Sequence, residues 1–273
     1  MRKVNFTKMV ASGNDFVVLG IGVNPKGLRS FGRKICDRKY GVGADGLLTL
    51  GKSRRADVRM RIFNADGSEA EMCGNGARCA ALFVAGSPVS RLPRFKNMSI
   101  ETKAGIINAQ VKGDKVKIRL TDPKGIKLNM PLNLNGRNLR VNFINTGVPH
   151  AVIFVDGLNN IDVDGIGRQV RYHSKFSPKG TNVNFVEPLG NQSISVRTYE
   201  RGVEGETLAC GTGSTASALI LAANCKLLSS GSIDVKTKGQ EILRVYFERV
   251  QGGFRNVWLE GRAKIVYKGE CYV

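Results

Sequence analysis

Two cysteines open nearly identical segments, one in each half of the 273-residue chain. Cys73 begins the segment Cys-Gly-Asn-Gly-Ala and Cys210 begins the segment Cys-Gly-Thr-Gly-Ser, and an apolar, alanine-rich stretch follows each. A cysteine just before a helix lies beside backbone N–H groups that have no partner within the helix. Because such groups favour the thiolate, we expect both thiols to have lowered pKa values. Two thiols on opposite sides of one small ligand could remove a proton from one face of a carbon and return one to the other face.

The similarity of the two halves extends beyond the cysteines. Residues 62–69 lead through a turn to the first cysteine, and residues 196–202 lead through a glycine-containing loop to the second. The pattern of each unit indicates a strand, then a loop, then the cysteine and a buried helix. The stretches that follow, residues 80–85 and 216–223, are apolar on nearly every side, which predicts helices surrounded by other structure.

Strand-like alternation recurs along the chain. In residues 257–267 the odd positions are small or apolar and most even positions are large or charged, as on a sheet with one solvated face. Residues 115–120, 193–199 and 243–250 show a similar alternation. These patterns predict strands that supply most of the structure around the two helices.

The repeat and the alternation together predict the fold class. We expect an α/β (α+β) protein of two pseudo-symmetric domains, each an antiparallel sheet or barrel wrapped around a central helix. The polar, turn-rich segment 121–125 is the predicted boundary. The first domain would then cover residues 1–121 and the second residues 122–263.

Composition excludes several classes of protein. No stretch approaches the roughly 20 apolar residues of a membrane span, and the first residues do not resemble a signal peptide, so we expect a cytoplasmic protein without a membrane partner. Six cysteines without a Cys-x-x-Cys spacing predict neither a disulfide framework nor a metal site. The net charge of +20 is dispersed and lacks a nucleic-acid-binding motif, so we interpret it as a solvated basic surface without a specific nucleic-acid partner.

Six strings of residues make the chain resemble the diaminopimelate epimerases, cofactor-independent amino-acid epimerases of lysine and peptidoglycan precursor synthesis. They occur in family order: Gly-Asn-Asp-Phe-Val-Val at 13–18, Phe-Asn-Ala-Asp-Gly-Ser at 63–68, Met-Cys-Gly-Asn-Gly-Ala-Arg-Cys at 72–79, Thr-Asn-Val-Asn-Phe at 181–185, Tyr-Glu-Arg-Gly at 199–202 and Ala-Cys-Gly-Thr-Gly at 209–213. The resemblance implies interconversion of LL- and meso-diaminopimelate by a thiolate and a thiol, without a cofactor or metal, in a cleft between two domains. It also implies a C-terminal strand over residues 264–273 that completes the first domain. We further expect a homodimer.

The resemblance assigns roles to individual residues. Cys73 and Cys210 would be the catalytic pair, and Glu200 would bind the ammonium group at the reacting centre. The distal amino-acid end, which is not inverted, would be held by four side chains: Asn14, Asn64, Asn182 and Arg201. The α-carboxylate would accept hydrogen bonds from backbone N–H groups at two helix N-termini: Gly74, Asn75, Gly211 and Thr212. His150 would orient a cysteine or a ligand, or make a structural hydrogen bond.

Two positions depart from the family pattern: Gly46 stands where some members carry Gln, and Val148 where some carry Asn. Three other functions stay open. A proline or hydroxyproline racemase shares the cysteine layout, but Asn75 and the Glu200-Arg201 pair argue against it. A phenazine-biosynthesis-type isomerase shares the fold but lacks the paired cysteines. A non-catalytic, basic nucleic-acid-binding protein would use the positive charge.

Overall fold

The computed structural model of the protein describes residues 3–86, 96–134, 136–225 and 230–272. The chain divides into two compact units: Met1–Ile118 with Gly261–Val273 forms the first, and Arg119–Glu260 forms the second. Residues 1, 2 and 273, at the outer ends of the predicted domains, lie outside the described residues.

Strands account for most of the regular structure. In chain order the elements are β1 (Lys3–Ala11), β2 (Asn14–Leu19), α1 (Leu28–Cys36), β3 (Gly46–Gly51), β4 (Val58–Asn64), β5 (Glu69–Ala70), α2 (Gly74–Gly86), β6 (Lys96–Thr102), β7 (Gly105–Lys112), β8 (Lys115–Arg119), β9 (Lys124–Leu134), β10 (Arg137–Asn145), β11 (Pro149–Phe154), α3 (Val163–Arg171), β12 (Asn182–Gly190), β13 (Ser193–Glu200), β14 (Gly205–Thr207), α4 (Gly211–Asn224), β15 (Ser230–Thr237), β16 (Ile242–Val250), β17 (Gly253–Arg262) and β18 (Lys264–Tyr272). Two short 3₁₀ helices, Leu158–Asn160 and Ser174–Phe176, flank α3.

The two units pair their strands in the same order. In the first, β18, β1 and β2 are antiparallel, β3 is parallel to β2, β4 is antiparallel to β3 and to β5, β6 is parallel to β4, and β7 and β8 follow antiparallel. In the second, β9, β10 and β11 are antiparallel, β12 is parallel to β11, β13 is antiparallel to β12 and to β14, β15 is parallel to β13, and β16 and β17 follow antiparallel. The pseudo-symmetric α/β fold predicted from the repeat is therefore confirmed. The sheets are mixed, however, and not antiparallel throughout as expected, because β3, β6, β12 and β15 each form a parallel pair with an earlier strand.

One helix lies at the centre of each unit. Helix α2 packs against β1, β2, β3, β4, β6 and β7, and α4 packs against β10, β11, β12, β13, β15 and β16. Ala80 and Ala81 of α2 and Ala218 and Leu219 of α4 are 0% exposed, as expected for helices that are apolar all round. Of the helices in the described ranges, none has the length and apolar character needed to cross a membrane.

A second helix covers the outer side of each unit. Helix α1 places Phe31 and Ile35 in a core cluster with residues of β3 and β4, and α3 places Val163 and Val170 in a cluster with residues of β12 and β13. Burial of each such side chain stabilises the fold by about 1.5–3 kcal/mol. The outer helices therefore hold the strands from which the site residues project.

The strand predicted over residues 257–267 is wrong in one respect. It is divided at Ala263 into β17 and β18, and the Ala263 N–H donates to the Asp114 carbonyl instead of continuing the ladder. The odd positions are buried up to Ala263, whereas Ile265 and Tyr267 are 40% and 44% exposed. The alternation continues in the sequence beyond Ala263. After the break, however, β18 pairs with β1, so its side chains have different neighbours from those of β17.

Candidate active site

Cys73 stands immediately before α2. Its carbonyl oxygen accepts the Ala77 N–H at 2.8 Å, and its sulfur accepts the Gly76 N–H at 3.5 Å. This is the bonding of an N-cap residue, with the sulfur in the role that a Ser or Asp oxygen usually has. Gly74 and Asn75 form the first helical residues beside the half-buried thiol.

Cys210 has the equivalent position before α4. Its carbonyl oxygen accepts the Ser214 N–H at 2.8 Å, and its sulfur accepts the Gly213 N–H at 3.4 Å. The Thr212 hydroxyl lies 3.5 Å from the same sulfur. Cys210 is only 7% exposed, so the second thiol is more enclosed than the first.

The expectation that both helix ends lower the thiol pKa is wrong for Cys210. Burial raises the pKa of this thiol to about 12, and the negative charge of Glu200 acts in the same direction. The Thr212 hydroxyl and the N–H groups of Thr212 and Gly213 oppose the rise without cancelling it. Loss of solvation thus outweighs the helix end, and Cys210 is protonated at neutral pH.

Gly213 brings the start of α4 close to the neighbouring strand. A Cβ atom at this position would lie 2.3 Å from Oδ1 of Asn184 and 3.2 Å from Sγ of Cys210. At the equivalent Gly76, a Cβ atom would lie 3.1 Å from Cδ2 of Leu48. The second glycine of each Cys-Gly-x-Gly segment is therefore required for close packing.

Asn14 and Asn75 meet directly in the first unit. Asn75 Nδ2 donates to Asn14 Oδ1 at 2.7 Å, and Asn14 Nδ2 donates to Asp45 Oδ2 at 3.0 Å. Asn75 lies in the first turn of α2, next to Gly74. The fold thus brings the predicted binding side chain of Asn14 to Asn75, whose backbone N–H was the predicted donor, at the start of the helix that follows Cys73.

Asn64 ends β4, where it is exposed and donates from Nδ2 to Ser68 Oγ at 2.9 Å. It pairs in register with Gly46, the residue that follows Asp45. A Cβ atom on Gly46 would lie 2.9 Å from the Phe63 carbonyl oxygen. The glutamine found here in some family members would therefore need a shift of the backbone.

Asn182 and Arg201 meet in the second unit. The Arg201 N–H donates to Asn182 Oδ1 at 2.9 Å, and Asn182 Nδ2 donates to the Pro149 carbonyl at 3.1 Å. The Arg201 guanidinium donates to the Lys179 carbonyl at 3.3 Å. Val148, the second departure from the family pattern, is half-buried beside Pro149. Asn182 thus fixes the backbone from which the Arg201 side chain projects.

Glu200 ends β13, directly before Arg201. Burial raises the pKa of its carboxyl group, and the nearby Thr207 hydroxyl opposes that rise. Because the charge of Glu200 also raises the pKa of Cys210, the carboxylate and this thiol influence each other within the second unit.

His150 is completely buried. Its Nδ1 lies 3.2 Å from Nδ2 of Asn184, whose other bonds run to the Ala151 carbonyl at 3.0 Å and from the Thr198 hydroxyl at 3.0 Å. Since the amide nitrogen donates, Nδ1 accepts and the ring proton is on Nε2, which has no hydrogen-bond partner in the described part of the chain. Burial, followed by the charge of Arg201, lowers the pKa of His150 to about 3, so the ring is a neutral donor.

Sequence reasoning assigned no role to Asn184, Asp45 or Arg78, although each contacts a predicted site residue. Asn182 and Asn184 are two apart on a buried strand, so they share one face of it, and this spacing could have identified the second. Arg78 is a single arginine in an otherwise apolar helix, which is also a recognisable signal. Over the described ranges, no group of three or more His, Cys, Asp or Glu side chains could hold a metal ion.

Solved structures share this architecture. A phenazine biosynthesis protein of the PhzF family from Bacillus anthracis has a TM-score of 0.76 at 19% identity, covering 100% of both chains. A hydroxyproline epimerase from Agrobacterium vitis has a TM-score of 0.72 at 17% identity, covering 98% of this chain and 92% of its own. At such low identity these likenesses establish the fold alone.

Sequence comparison is more specific. The diaminopimelate epimerase family model matches residues 6–125 and 142–252. A diaminopimelate epimerase of Methanocella arvoryzae is 42% identical over 287 positions, covering 100% of this chain and 98% of its own. Another, of a Hydrogenobaculum species, is 43% identical and covers 96% of each chain. Similar to these relatives over nearly its whole length, the protein belongs to the diaminopimelate epimerase family.

Proposed function

We propose that the protein is an isomerase that interconverts LL- and meso-diaminopimelate, a reaction of lysine and peptidoglycan precursor synthesis. The observation that carries the proposal is the duplicated cysteine, which caps equivalent helices in the two units of a chain that belongs to this family. Inversion of a carbon requires a base on one face and an acid on the other. Cys73 and Cys210 are the pair that we assign to these roles.

The α-hydrogen of an amino acid is a very weak acid, and the proposed mechanism has no cofactor to accept the electrons. Negative charge that develops towards the α-carboxylate must therefore be stabilised by the protein. Two helix N-termini supply backbone N–H groups for this purpose, those of Gly74 and Asn75 in α2 and of Gly211 and Thr212 in α4. Loss of one such donor typically lowers the rate about 10²–10³-fold.

The two thiols would begin a turnover in different protonation states. Cys210 is protonated at neutral pH because its pKa is raised to about 12. We assign it the role of acid in the direction in which Cys73 removes the proton. Each turnover exchanges the roles, since the thiol that has lost its proton is the base for the reverse reaction. Transfer of the proton from substrate to Cys73 and from Cys210 to the carbanion leaves the total number of protons unchanged.

The distal end of the substrate would be held by four side chains that do not take part in proton transfer: Asn14, Asn64, Asn182 and Arg201. Arg201 has the geometry of a guanidinium fork, which binds a carboxylate through two parallel hydrogen bonds. Its backbone is held by Asn182. Glu200 would bind the ammonium group at the reacting centre, where its negative charge complements the cation.

His150 fits a role in the same half of the site. Its neutral ring presents an Nε2 proton that no described residue accepts, and a buried donor without a partner is costly. We propose that a ligand atom or the Cys210 thiolate accepts a hydrogen bond from this N–H group during the reaction, without transfer of the proton. The hydrogen bond from Asn184 keeps the ring in the required tautomer.

The predicted domains, residues 1–121 with 264–273 and residues 122–263, are proposed to be the two compact units. We also propose that the enzyme is a cytoplasmic homodimer. Exposed apolar side chains on β18 support the dimer, since Ile265, Val266 and Tyr267 are between 40% and 51% exposed and burial of apolar surface drives most protein association. Measurement of the molar mass in solution tests this part of the proposal.

Chiral chromatography tests the activity. The purified protein is incubated with LL-diaminopimelate in the presence of a chelator and without pyridoxal phosphate, and we expect meso-diaminopimelate to form until the two epimers reach equilibrium. Alanine and proline serve as controls, because they lack the distal amino-acid end. Turnover of proline at a comparable rate would favour a racemase, and activity that requires pyridoxal phosphate or metal would contradict the two-thiol mechanism. Salt-sensitive binding to DNA without any epimerisation would favour the nucleic-acid-binding alternative.

A further inference from the structure

A chain of hydrogen-bonded side chains runs through Asn75 and Asn14 in the first unit. At one end, the fully buried Arg78 donates from Nη2 to Asn75 Oδ1 at 2.5 Å and to Ser12 Oγ at 2.7 Å. Asn75 Nδ2 then donates to Asn14 Oδ1 at 2.7 Å, and Asn14 Nδ2 donates to Asp45 Oδ2 at 3.0 Å. The chain therefore begins at a guanidinium and ends at a carboxylate.

The two charged ends determine which way the amides between them point. A guanidinium can only donate and an ionised carboxylate can only accept. The atom of Asn75 that faces Arg78 must therefore be the oxygen, and the atom of Asn14 that faces Asp45 must be the nitrogen. Neither amide can turn over without losing a charge-assisted hydrogen bond, which is stronger than a neutral one.

Asp45 is itself held in place. Arg38 donates from Nη2 to Asp45 Oδ1 at 2.7 Å, and the Asp15 N–H donates to Asp45 Oδ2 at 3.1 Å. Arg38 also binds the Asp15 carboxylate at 2.8 Å, and Lys8 lies 2.7 Å from it on the other side. Although burial acts in the opposite direction, hydrogen bonds from Arg38 and Lys8 hold the pKa of Asp15 well below its usual range. The carboxylate at the end of this hydrogen-bonded chain is thus held in place by several ion pairs.

We propose that Asp45 is a positioning residue that fixes the orientation of the Asn14 amide. With its oxygen facing Asn75, Asn14 presents its second amide hydrogen to the ligand, so the ligand group that it meets is a hydrogen-bond acceptor such as a carboxylate oxygen. This inference rests on the proposed function, because that function places Asn14 at the substrate.

A double-mutant cycle tests the proposal. Asp45→Asn replaces a charged acceptor by a neutral group of the same shape, so the Asn14 amide loses the charge-assisted hydrogen bond at its nitrogen and is oriented only by the bond from Asn75. We expect kcat/KM for LL-diaminopimelate to fall by about tenfold, the effect of weakening one hydrogen bond to a charged group, with most of the change in KM. In an Asn14→Ala background, the same substitution should change kcat/KM by less than about twofold, because residues that act through one another are not additive.

Asp234→Asn is the matched control, because Asp234 forms an Arg–carboxylate pair with Arg244 at 2.6 Å on the surface of the second unit, and we expect its kinetics to equal those of the wild type. Circular dichroism establishes that each variant is folded, and Asp45→Ser replaces Asp45→Asn in the cycle if the latter is not. An equal loss in both backgrounds, or no loss in the wild-type background, would overturn the role of Asp45. A wild-type protein without epimerase activity would instead contradict the proposed function.

Discussion

The two cysteines that we assign to catalysis occupy the same place in two units of the same topology, yet their surroundings differ. Each sulfur accepts the N–H of the third residue of a central helix, at 3.5 Å for Cys73 and 3.4 Å for Cys210. Cys73 is half-buried, whereas Cys210 is buried and has its pKa raised to about 12 by burial and by Glu200. The repeated backbone fixes where each sulfur lies, whereas burial and the charge of Glu200 raise the pKa of Cys210.

The side chains near the two central helices, α2 and α4, also differ between the units. In the first unit, Asn14 and Asn75 lie in a chain that ends on charged residues. In the second, His150 and Asn184 form a neutral pair in a fully buried position. The duplicated fold thus carries different side chains at its two central helices, a charged chain beside α2 and a buried His–Asn pair in the unit that contains α4.

Removal of either sulfur is the most severe test of the comparison. Cys73→Ala and Cys210→Ala should each lower turnover of diaminopimelate by about 10²–10⁴-fold or more, because each removes the proton carrier on one face of the carbon. Cys225, at the other end of α4, supplies the control, and Cys225→Ala should retain nearly full turnover. If Cys210→Ala kept as much as about a tenth of wild-type turnover, the two thiols would not be an acid–base pair.

Arg201→Lys tests how the second unit binds the distal carboxylate. Lysine keeps the charge but cannot form two parallel hydrogen bonds, so KM for LL-diaminopimelate should rise by about tenfold or more, with a smaller change in kcat. Steady-state kinetics with both epimers measures the effect. Arg244→Lys, which alters a surface pair with Asp234, should leave KM unchanged, and an unchanged KM in Arg201→Lys would remove this residue from the binding site.

His150 gives the second unit a distinctive response to acid. Its pKa is about 3 in the folded protein and about 6.5 in an unfolded chain. Below pH 6.5 the unfolded chain therefore binds a proton that the folded protein does not, and stability falls as the pH falls. The expected loss from this group is about 2 kcal/mol between pH 6.5 and pH 5.

Urea unfolding of the wild type and His150→Gln at the two pH values measures this contribution. Both proteins lose stability in acid through other groups, so the quantity of interest is the difference between them. The variant should lose about 2 kcal/mol less than the wild type over the same interval. Equal losses would show that His150 takes up a proton in the folded protein as readily as in the unfolded chain.

The smallest expected effect concerns the charge next to Cys210. Glu200→Gln removes a negative charge that raises the pKa of this thiol, so more thiolate is present at pH 8. Alkylation of Cys210 by iodoacetamide should become about threefold to tenfold faster, because the rate follows the thiolate fraction. Peptide mapping by mass spectrometry reports the rate at each cysteine. Glu248→Gln, at an exposed residue of the same unit, controls for general effects, and an unchanged rate in Glu200→Gln would show that its charge does not reach the thiol.

The fold could be predicted from the sequence because its main elements are marked by local patterns that occur in both halves of the chain. The Cys-Gly-x-Gly segments and the apolar stretches after them predict α2 and α4, and alternation predicts strands such as β13 and β16. The break at Ala263 was not predictable, since it depends on a hydrogen bond to Asp114, distant in sequence. Alternation shows which residues share a face, but it does not show which strand becomes the neighbour.

The types of residue at the site could be predicted from the sequence, but the surroundings of those residues could not. Motifs placed Cys73 and Cys210 at helix starts, but the raised pKa of Cys210 follows from burial and from Glu200, which folding brings close to it. The orientation of the Asn14 amide likewise depends on Asp45, which lies 31 positions away in the chain. Helix ends act over one turn, whereas desolvation depends on the whole surrounding fold.

Isotope incorporation during the first turnovers tests most directly whether two thiols share the reaction. LL-diaminopimelate is incubated with the protein in deuterium oxide, and both epimers are separated at low conversion and analysed by mass spectrometry. If one thiol removes the hydrogen and the other delivers a solvent-derived proton, the first meso product carries one deuterium at the inverted α-carbon while the remaining LL substrate carries none. Meso product that keeps the hydrogen of the substrate would show that a single base removes and returns it, and would contradict the assignment of Cys73 and Cys210 as a pair.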